Sequence, residues 1–155
     1  VQIQSLISNF ILDTDCTRVQ VIEFSNTVMS VAYLPFKYMT CTYEVYRFGE
    51  KPMSHAIDHL STSLFTPFFE ELESRDYCIF DIDDKNHRMG GAMYDIAIQE
   101  NCSKFMGTML KNTKGKFIGF LMMVRDKDEE FQVGDSDKLQ KLGANISALL
   151  SVMDK

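Results

Sequence analysis

The chain has 155 residues, a length typical of one domain that buries a substantial core. Its net charge is −6 and it has no basic run, which disfavours direct binding to nucleic acid. Hydrophobic residues make up 45% of it, yet no run approaches the roughly 18 apolar residues of a membrane span.

The first third of the chain predicts one helix followed by two strands. Apolar residues at helical spacing mark a helix over residues 1–12. Residues 18–25 carry apolar side chains on both faces, which indicates a central strand, and residues 26–35 form a connection. Residues 36–48 form a second strand whose two faces differ. One face carries Met39, Cys41, Tyr43 and Val45, and the other carries Tyr38, Thr40, Thr42, Glu44 and Tyr46.

The middle of the chain predicts two helices with a strand between them. Residues 54–63 fit either a short helix or a loop. Thr66 and Pro67 favour a helix start, with the threonine as the cap and the proline at the first position. Residues 77–82 form the third strand and residues 83–88 a polar loop. A helix over residues 89–100 turns Met93, Ile96 and Ala97 toward the core.

The last third predicts two strands joined by a turn, and then a long helix. The strands cover residues 103–110 and 116–124, with Asn-Thr-Lys-Gly at the turn. Asp135 or Ser136 is suited to cap the helix. Its apolar residues are spaced three and four apart, as in a helix–helix seam; they are Leu139, Leu142, Ile146, Leu149 and Met153.

This ending resembles that of a GAF domain, whose last strand carries a pattern like G-x-x-I-G-x-L, followed by F-(T/S)-x-x-D and a helix. The matching residues are Gly115, Ile118, Gly119, Leu121, Phe131 and Asp135 or Asp137. The order of predicted elements over the whole chain is also similar to that of GAF domains. The resemblance implies an α+β fold, GAF-like (profilin/PAS-like), with a central antiparallel sheet. The terminal helices would pack on one face, and the shorter helices and a cavity would lie on the other. A PAS-like domain is the nearest alternative.

A narrower resemblance is to GAF-like domains of phage and mobile-element proteins. Those domains tend to carry F-H-N-G where this chain has Phe24-Ser25-Asn26-Thr27, so the histidine and the glycine are missing. The chain starts at Val1, without methionine and inside a helical pattern. We therefore expect residues 1–155 to be one GAF-like domain excised from a longer protein, with any membrane anchor outside this chain.

The GAF resemblance implies a sensory or interaction module rather than an enzyme, in which a filled cavity shifts the terminal helices. Its cofactor is unknown, because the cyclic-nucleotide signature and the bilin-attaching Cys-His pair of the family are absent. The methionine-rich helix and the acidic loop beside the sheet suggest where a small ligand would bind. The candidate pocket residues are Thr42, Glu44, Phe80, Asp81, Asp83, Met89 and Met93.

Two other functions remain open. A domain that only dimerises would have this cavity packed with Phe and Met. A thiol enzyme similar to the family's free methionine sulfoxide reductases would bring Cys78 and Cys102 together. Buried, reduced thiols are the simpler interpretation, and they suggest a cytoplasmic protein or the cytosolic domain of an anchored one.

No metal-binding or catalytic motif stands out in the sequence. His55 and His59 are four apart but lack further ligands nearby, which favours a solvated pair over a zinc site. The acidic residues after the third strand lack the glycine and the glutamate of a calcium loop. We therefore expect neither a metal site nor a catalytic site.

The terminal helices each carry more apolar positions than one sheet face is expected to bury. We therefore expect a homodimer in which both helices of two copies form a four-helix bundle about a two-fold axis. The candidate dimer residues are Ile3, Leu6, Phe10, Leu142, Ile146, Leu149 and Met153.

Overall fold

The computed structural model describes residues 2–29, 35–84 and 88–153, without the side chains of residues 26–29, 35–37 and 153. Within these ranges it has four α-helices: α1 (Gln2–Thr14), α2 (Thr66–Glu73), α3 (Gly90–Gln99) and α4 (Asp135–Met153). The strands are β1 (Arg18–Met29), β2 (Pro35–Tyr46), β3 (Leu60–Ser61), β4 (Cys78–Asp81), β5 (Lys104–Lys111) and β6 (Phe117–Arg125). Two short 3-10 turns, Ser54–Ala56 and Thr62–Phe65, flank β3.

The strands form one antiparallel sheet in the order β3-β2-β1-β6-β5-β4. The prediction that the first strand is central is confirmed, because β1 pairs with both β2 and β6. β1 is longer than predicted: it reaches Met29, which pairs with Pro35, so much of the predicted connection is strand. The part of that connection at residues 30–34 lies outside the described residues.

The sheet separates two apolar layers, as the α+β prediction required. On one face, α1 and α4 bury Ile7, Ile146 and their neighbours against Val19, Leu121 and Met123 of the sheet. On the other face, α2 and α3 bury Phe68, Leu72, Met93 and Ala97 against Ile22, Phe105, Phe120 and Met122. We call these the helix layer and the cavity layer.

Gly119 allows β1 and β6 to approach closely in the centre of this sheet. It pairs with Glu23, and a Cβ placed on it would overlap the carbonyl oxygen of Ile22. Any larger residue would therefore push the two central strands apart. This is the physical reason for the glycine inside an otherwise branched and aromatic strand.

A bulge in β2 overturns the predicted division of that strand into two faces. Val21 pairs with Tyr43 while the next residue, Ile22, pairs with Cys41, so Thr42 is an extra residue in β2. Because of it, Met39 and Cys41 face the cavity layer, whereas Tyr43 and Val45 face the helix layer. The prediction that these four residues share a face is therefore wrong.

Two local predictions around α2 also need correction. The cap position of α2 is Phe65, and Thr66 is already helical, with its hydroxyl donating to the carbonyl oxygen of Ser63 at 3.2 Å. The ambiguous segment 54–63 combines short 3-10 turns at its two ends with β3, which adds to the sheet opposite Tyr38 and Met39. A two-residue strand is too short to show a periodic pattern.

Candidate functional site

Glu44 is a buried carboxylate that several donors surround. The bulge at Thr42 places it on the cavity-layer side, where it pairs with Gln20 and its side chain is only 7% exposed. It accepts hydrogen bonds from Gln20 Nε2 at 2.7 Å, from Arg18 Nη1 at 3.2 Å and from the backbone N–H of Met53 at 3.1 Å. Thr42 itself is exposed, and its hydroxyl is 3.5 Å from the carbonyl oxygen of Val21.

Arg18 supplies the positive charge for this carboxylate, and the sequence analysis did not single it out. Its side chain is 4% exposed, and its guanidinium lies 5.2 Å from the centre of the Tyr46 ring. Its Nε atom has no hydrogen-bond partner among the described residues. The sequence did carry a signal for Arg18, because a central strand buries both faces and a charged residue at its start must then find a buried partner.

A small cavity of about 20 Å³ lies between the sheet and α3. That volume holds about one water molecule. The residues that line it include Gln20, Met53, Ile57, Met93, Ala97, Cys102, Met122 and Val124. Of the seven predicted pocket residues, Met93 is the one that lines this cavity.

Phenylalanine rings fill the space around Phe80, one of the predicted pocket residues. Phe68 is fully buried, with its ring centre 5.0 Å from that of Phe80 and 5.2 Å from that of Phe120. Met89 is fully buried in the same layer. Asp83 is exposed, and its backbone N–H donates to Asp81 Oδ1 at 2.9 Å.

A larger groove of about 410 Å³ runs along β4, at the edge of the sheet. Its lining includes Phe80 and Asp81, two of the predicted pocket residues, together with Arg75, Tyr77, Cys78 and Ile79. The structure therefore divides the predicted site between a one-water cavity, a closed aromatic core and this surface groove.

Neither a family model nor a curated protein matches the sequence. Solved structures do match the fold over nearly the whole chain. A GAF domain from Synechocystis sp. PCC6803 in its photoproduct state has a TM-score of 0.72 at 10% identity, covering 98% of this chain and 92% of that one. The GAF domain of a two-component sensor histidine kinase from Bacillus halodurans has a TM-score of 0.60 at 12% identity, covering 97% of each chain. A far-red absorbing dark state with bound biliverdin has a TM-score of 0.61 at 9% identity, covering 98% of this chain and 86% of that one.

The chain has the GAF fold. Its terminal helices lie on one face of the sheet and its shorter helices on the other, as the resemblance implied. The narrower resemblance to phage and mobile-element proteins stays a prediction. None of the helices within residues 2–29, 35–84 and 88–153 is long and apolar enough to cross a membrane.

The four thiols of this domain are buried, and Cys78 and Cys102 lie far apart. Burial raises the pKa of Cys41 and of Cys102 to about 12, and it also raises the pKa of Cys78. Cys78 lies opposite Gly107, whereas Cys102 precedes the other end of β5, about 15 Å away along the strand. The expectation that Cys78 and Cys102 could meet is therefore wrong.

His55 and His59 lie in different surroundings. His55 Nε2 is 2.8 Å from Glu100 Oε1, and the ring of His59 stacks on Tyr38 with centres 4.1 Å apart. Among the residues that the structure describes, no group of three or more His, Cys, Asp or Glu side chains is arranged to hold a metal ion.

A buried ion pair joins the two terminal helices to the end of β6. Arg125 Nη2 lies 3.0 Å from Asp135 Oδ2 at the start of α4, and each side chain is 4% exposed. The same nitrogen donates to the carbonyl oxygen of Thr14 at the end of α1, at 3.0 Å. Nearby, Arg47 bonds Glu129 at 2.9 Å and Asp126 at 2.8 Å. The loop between β6 and α4 is therefore held by charges at both of its ends.

Proposed function

We propose that this domain is a non-catalytic sensory module in which an occupant of the cavity displaces α1 and α4. One observation carries the proposal: β1 and β6 have alternate residues in the two layers. Met122 and Val124 line the cavity, whereas Met123 belongs to the helix layer and Arg125 binds both α1 and α4. A change in the position of β6 would therefore reach both terminal helices directly.

The polar groups beside the cavity favour a small ligand with an acceptor oxygen, such as a carboxylate. Glu44 already accepts three different donors, while Arg18 Nε has no partner among the described residues. One buried donor thus lacks an acceptor, and an unpaired donor is costly in a buried environment. An acceptor oxygen brought by a ligand would complete the set.

The cavity is too small for a large chromophore. Ligand pockets usually measure roughly 300–1,000 Å³, compared with about 20 Å³ here. One structural neighbour holds biliverdin, but a tetrapyrrole would require α3 and the segment around Met53 to move far from the sheet. A ligand of a few heavy atoms requires only a local opening at Met53 and Ile57, which cover the cavity.

Methionine methyl groups offer a direct test by NMR. Met53, Met93 and Met122 line the cavity, whereas Met106 and Met123 are buried in the helix layer. Protein carrying ¹³C-methyl methionine is titrated separately with acetate, pyruvate, glycine and biliverdin. The small carboxylates should shift the signals of the cavity methionines. Signals of the helix layer should then follow, because a sensor must transmit the change.

A filled cavity provides the control for this titration. Ala97→Val places two methyl groups at the cavity and should abolish the response, and a thermal melt checks that the variant is folded, because overpacking typically costs about 1–3 kcal/mol. Shifts confined to the cavity layer would contradict the sensory proposal. Absence of shifts with every compound would favour the second candidate function below.

The second candidate is a ligand-free structural domain, and the packed phenylalanine core favours it. Dimerisation through the terminal helices belongs to both candidates as a prediction. Ile3, Phe10, Leu142 and Ile146 are buried within their own chain, which leaves the half-buried Leu6 and Leu149 for a second copy. The side chain of Met153 lies outside the described residues. The third alternative, a thiol reductase, has lost the proximity of Cys78 and Cys102 on which it depended.

We further propose that the domain works in a reducing compartment such as the cytoplasm, free or as the cytosolic part of an anchored protein. Its four cysteines are free and buried, which is typical of reduced proteins. Equal stability of the protein with and without a thiol reductant would support this. A disulfide formed spontaneously between any two of Cys16, Cys41 and Cys102 in the native state would contradict it.

A further inference from the structure

β4 has a free side at the edge of the sheet. It pairs with β5, and among the described residues no strand lies on its other side. The N–H of Ile82 donates to the carbonyl oxygen of Ser103, so the even-numbered residues of this segment are the ones bonded to β5. In an antiparallel ladder the alternate residues then direct their backbone groups away from the partner. Ile79 therefore presents its N–H and carbonyl to the open edge, whereas the carbonyl oxygen of Asp81 already accepts from the N–H of Asp84 at 3.2 Å.

The side chains along this edge have an ordered pattern. Arg75 is exposed in the bend between α2 and β4, Tyr77 and Ile79 are 37% and 52% exposed, and Asp81 is the last residue of β4. All four line the groove of about 410 Å³. The edge thus runs from a positive charge through two apolar side chains to a negative charge.

We propose that β4 pairs antiparallel with β4 of a second copy, so that the two six-stranded sheets join edge to edge. In the register centred on Cys78, Arg75 of each copy lies opposite Asp81 of the other, and Tyr77 lies opposite Ile79. Tyr77 and Ile79 then exchange backbone hydrogen bonds across the two-fold axis. The groove is the space that the second strand occupies.

Charge order is the reason for choosing a second copy as the occupant. An extended partner running antiparallel to β4 must present a positive residue, two alternate apolar residues and a negative residue, in that order. The sequence Arg75-Asp76-Tyr77-Cys78-Ile79-Phe80-Asp81 has this pattern itself. Charged side chains often protect an edge strand against self-association, but opposite charges placed at its two ends attract an antiparallel copy.

The register makes a specific prediction about Cys78. The two Cys78 residues form a non-hydrogen-bonded pair, in which Cα atoms lie about 4.5 Å apart. That distance is within the range of a disulfide. In the single chain, the thiol donates to the carbonyl oxygen of Glu71 at 3.1 Å, beside the groove.

Oxidative crosslinking tests this register. Diamide takes two electrons and two protons from two thiols, leaving a disulfide and the reduced reagent. The native protein should give a covalent species of twice 17.8 kDa on a non-reducing gel, and the reductant dithiothreitol should reverse it. Cys78→Ser should abolish this species. The covalent dimer should persist in Cys102→Ala, because Cys102 is buried in the opposite part of the cavity layer.

Charge exchange tests the pairing without oxidation. Arg75→Asp and Asp81→Arg, made separately, each set like charges opposite one another twice, so sedimentation equilibrium should show a dimer about tenfold weaker. The double variant restores opposite charges and should return to within about threefold of the native affinity. Lys141→Asp, an exposed change on α4, serves as the matched control and should leave the affinity unchanged. Circular dichroism checks that each variant is folded.

Three results would overturn the proposal. One is a monomer up to millimolar concentration together with no crosslink through Cys78. Another is a dimer that Leu149→Ala dissociates while the edge variants do not, which would assign the interface to the terminal helices. A third is failure of the double charge variant to recover although it is folded.

Discussion

At the scale of single residues, the Arg18–Glu44 pair was only half predictable. The sequence marked Glu44 as a candidate acceptor, and the structure surrounds it with donors. Arg18 was missed because the pairing of β1 with β2 depends on a register that the sequence does not state. The bulge at Thr42 sets that register, and regular alternation gives no sign of an extra residue.

Removing the charge of Glu44 should destabilise the domain strongly. Glu44→Gln leaves Arg18 buried without its counter-charge, and we expect a loss of about 3 kcal/mol in the free energy of unfolding. Urea unfolding measures it. The double variant Arg18→Met, Glu44→Leu should recover most of the loss, because apolar replacement of a whole buried pair is often neutral. A loss below about 0.5 kcal/mol in the single variant would contradict the interpretation of the pair as a buried, coupled unit.

The closeness of β1 and β6 gives a second prediction at the same scale. Gly119→Ala should cost about 2 kcal/mol or more, because its Cβ would overlap the Ile22 carbonyl in the centre of the sheet. Gly91→Ala is the matched control, since its Cβ would meet nothing within 4 Å and lies in the first turn of α3. The control should be neutral or slightly stabilising. Equal thermal midpoints for the two variants would contradict the close-approach argument.

At the scale of the elements, long periodic segments were predicted well and their ends were not. The helices α1, α3 and α4 and the strands β5 and β6 agree with the predictions to within about two residues. β3 was missed because its two residues owe their conformation to pairing with Tyr38 and Met39 rather than to a local pattern. The cap of α2 was misplaced by one residue because the preceding 3-10 turn runs directly into the helix.

The loop before α4 should make stability depend on pH. The hydrogen bond from Arg47 holds the pKa of Glu129 below its ordinary value of 4.5. A lowered carboxyl pKa contributes stability that is complete above the unfolded value and disappears as pH falls through the folded one. The native protein should therefore be more stable than Glu129→Gln above about pH 5. The difference should shrink below pH 4.5, as urea unfolding at several pH values would show, whereas parallel curves would contradict this role for Glu129.

At the scale of the whole molecule, the sheet divides the core into two layers whose residues could be assigned in part. The seam of α4 was identified correctly as apolar, but the structure uses it inside the chain. A sequence shows that a helix face is apolar without showing what covers it. The proposed pocket residues lie in three different places for a similar reason, since the sequence does not show which aromatic side chains pack beside them.

Two positions on α4 separate internal packing from dimerisation. Ile146 is fully buried, so Ile146→Ala should cost about 3 kcal/mol in unfolding free energy at every protein concentration. Leu149 is half-buried, and Leu149→Ala should cost less than half as much in the single chain. A concentration-dependent loss at Leu149 of about 2 kcal/mol or more would instead support the helix bundle.

The extra residue at Thr42 also affects how this chain should be aligned with other sequences. Cys41 pairs with Ile22 and Tyr43 pairs with Val21, and a relative without the bulge would lack the residue between them. An alignment without a gap at that point would place Glu44 beside residues that face the opposite layer. A search that allows a one-residue deletion after Cys41 would align Glu44 with residues that face the same layer.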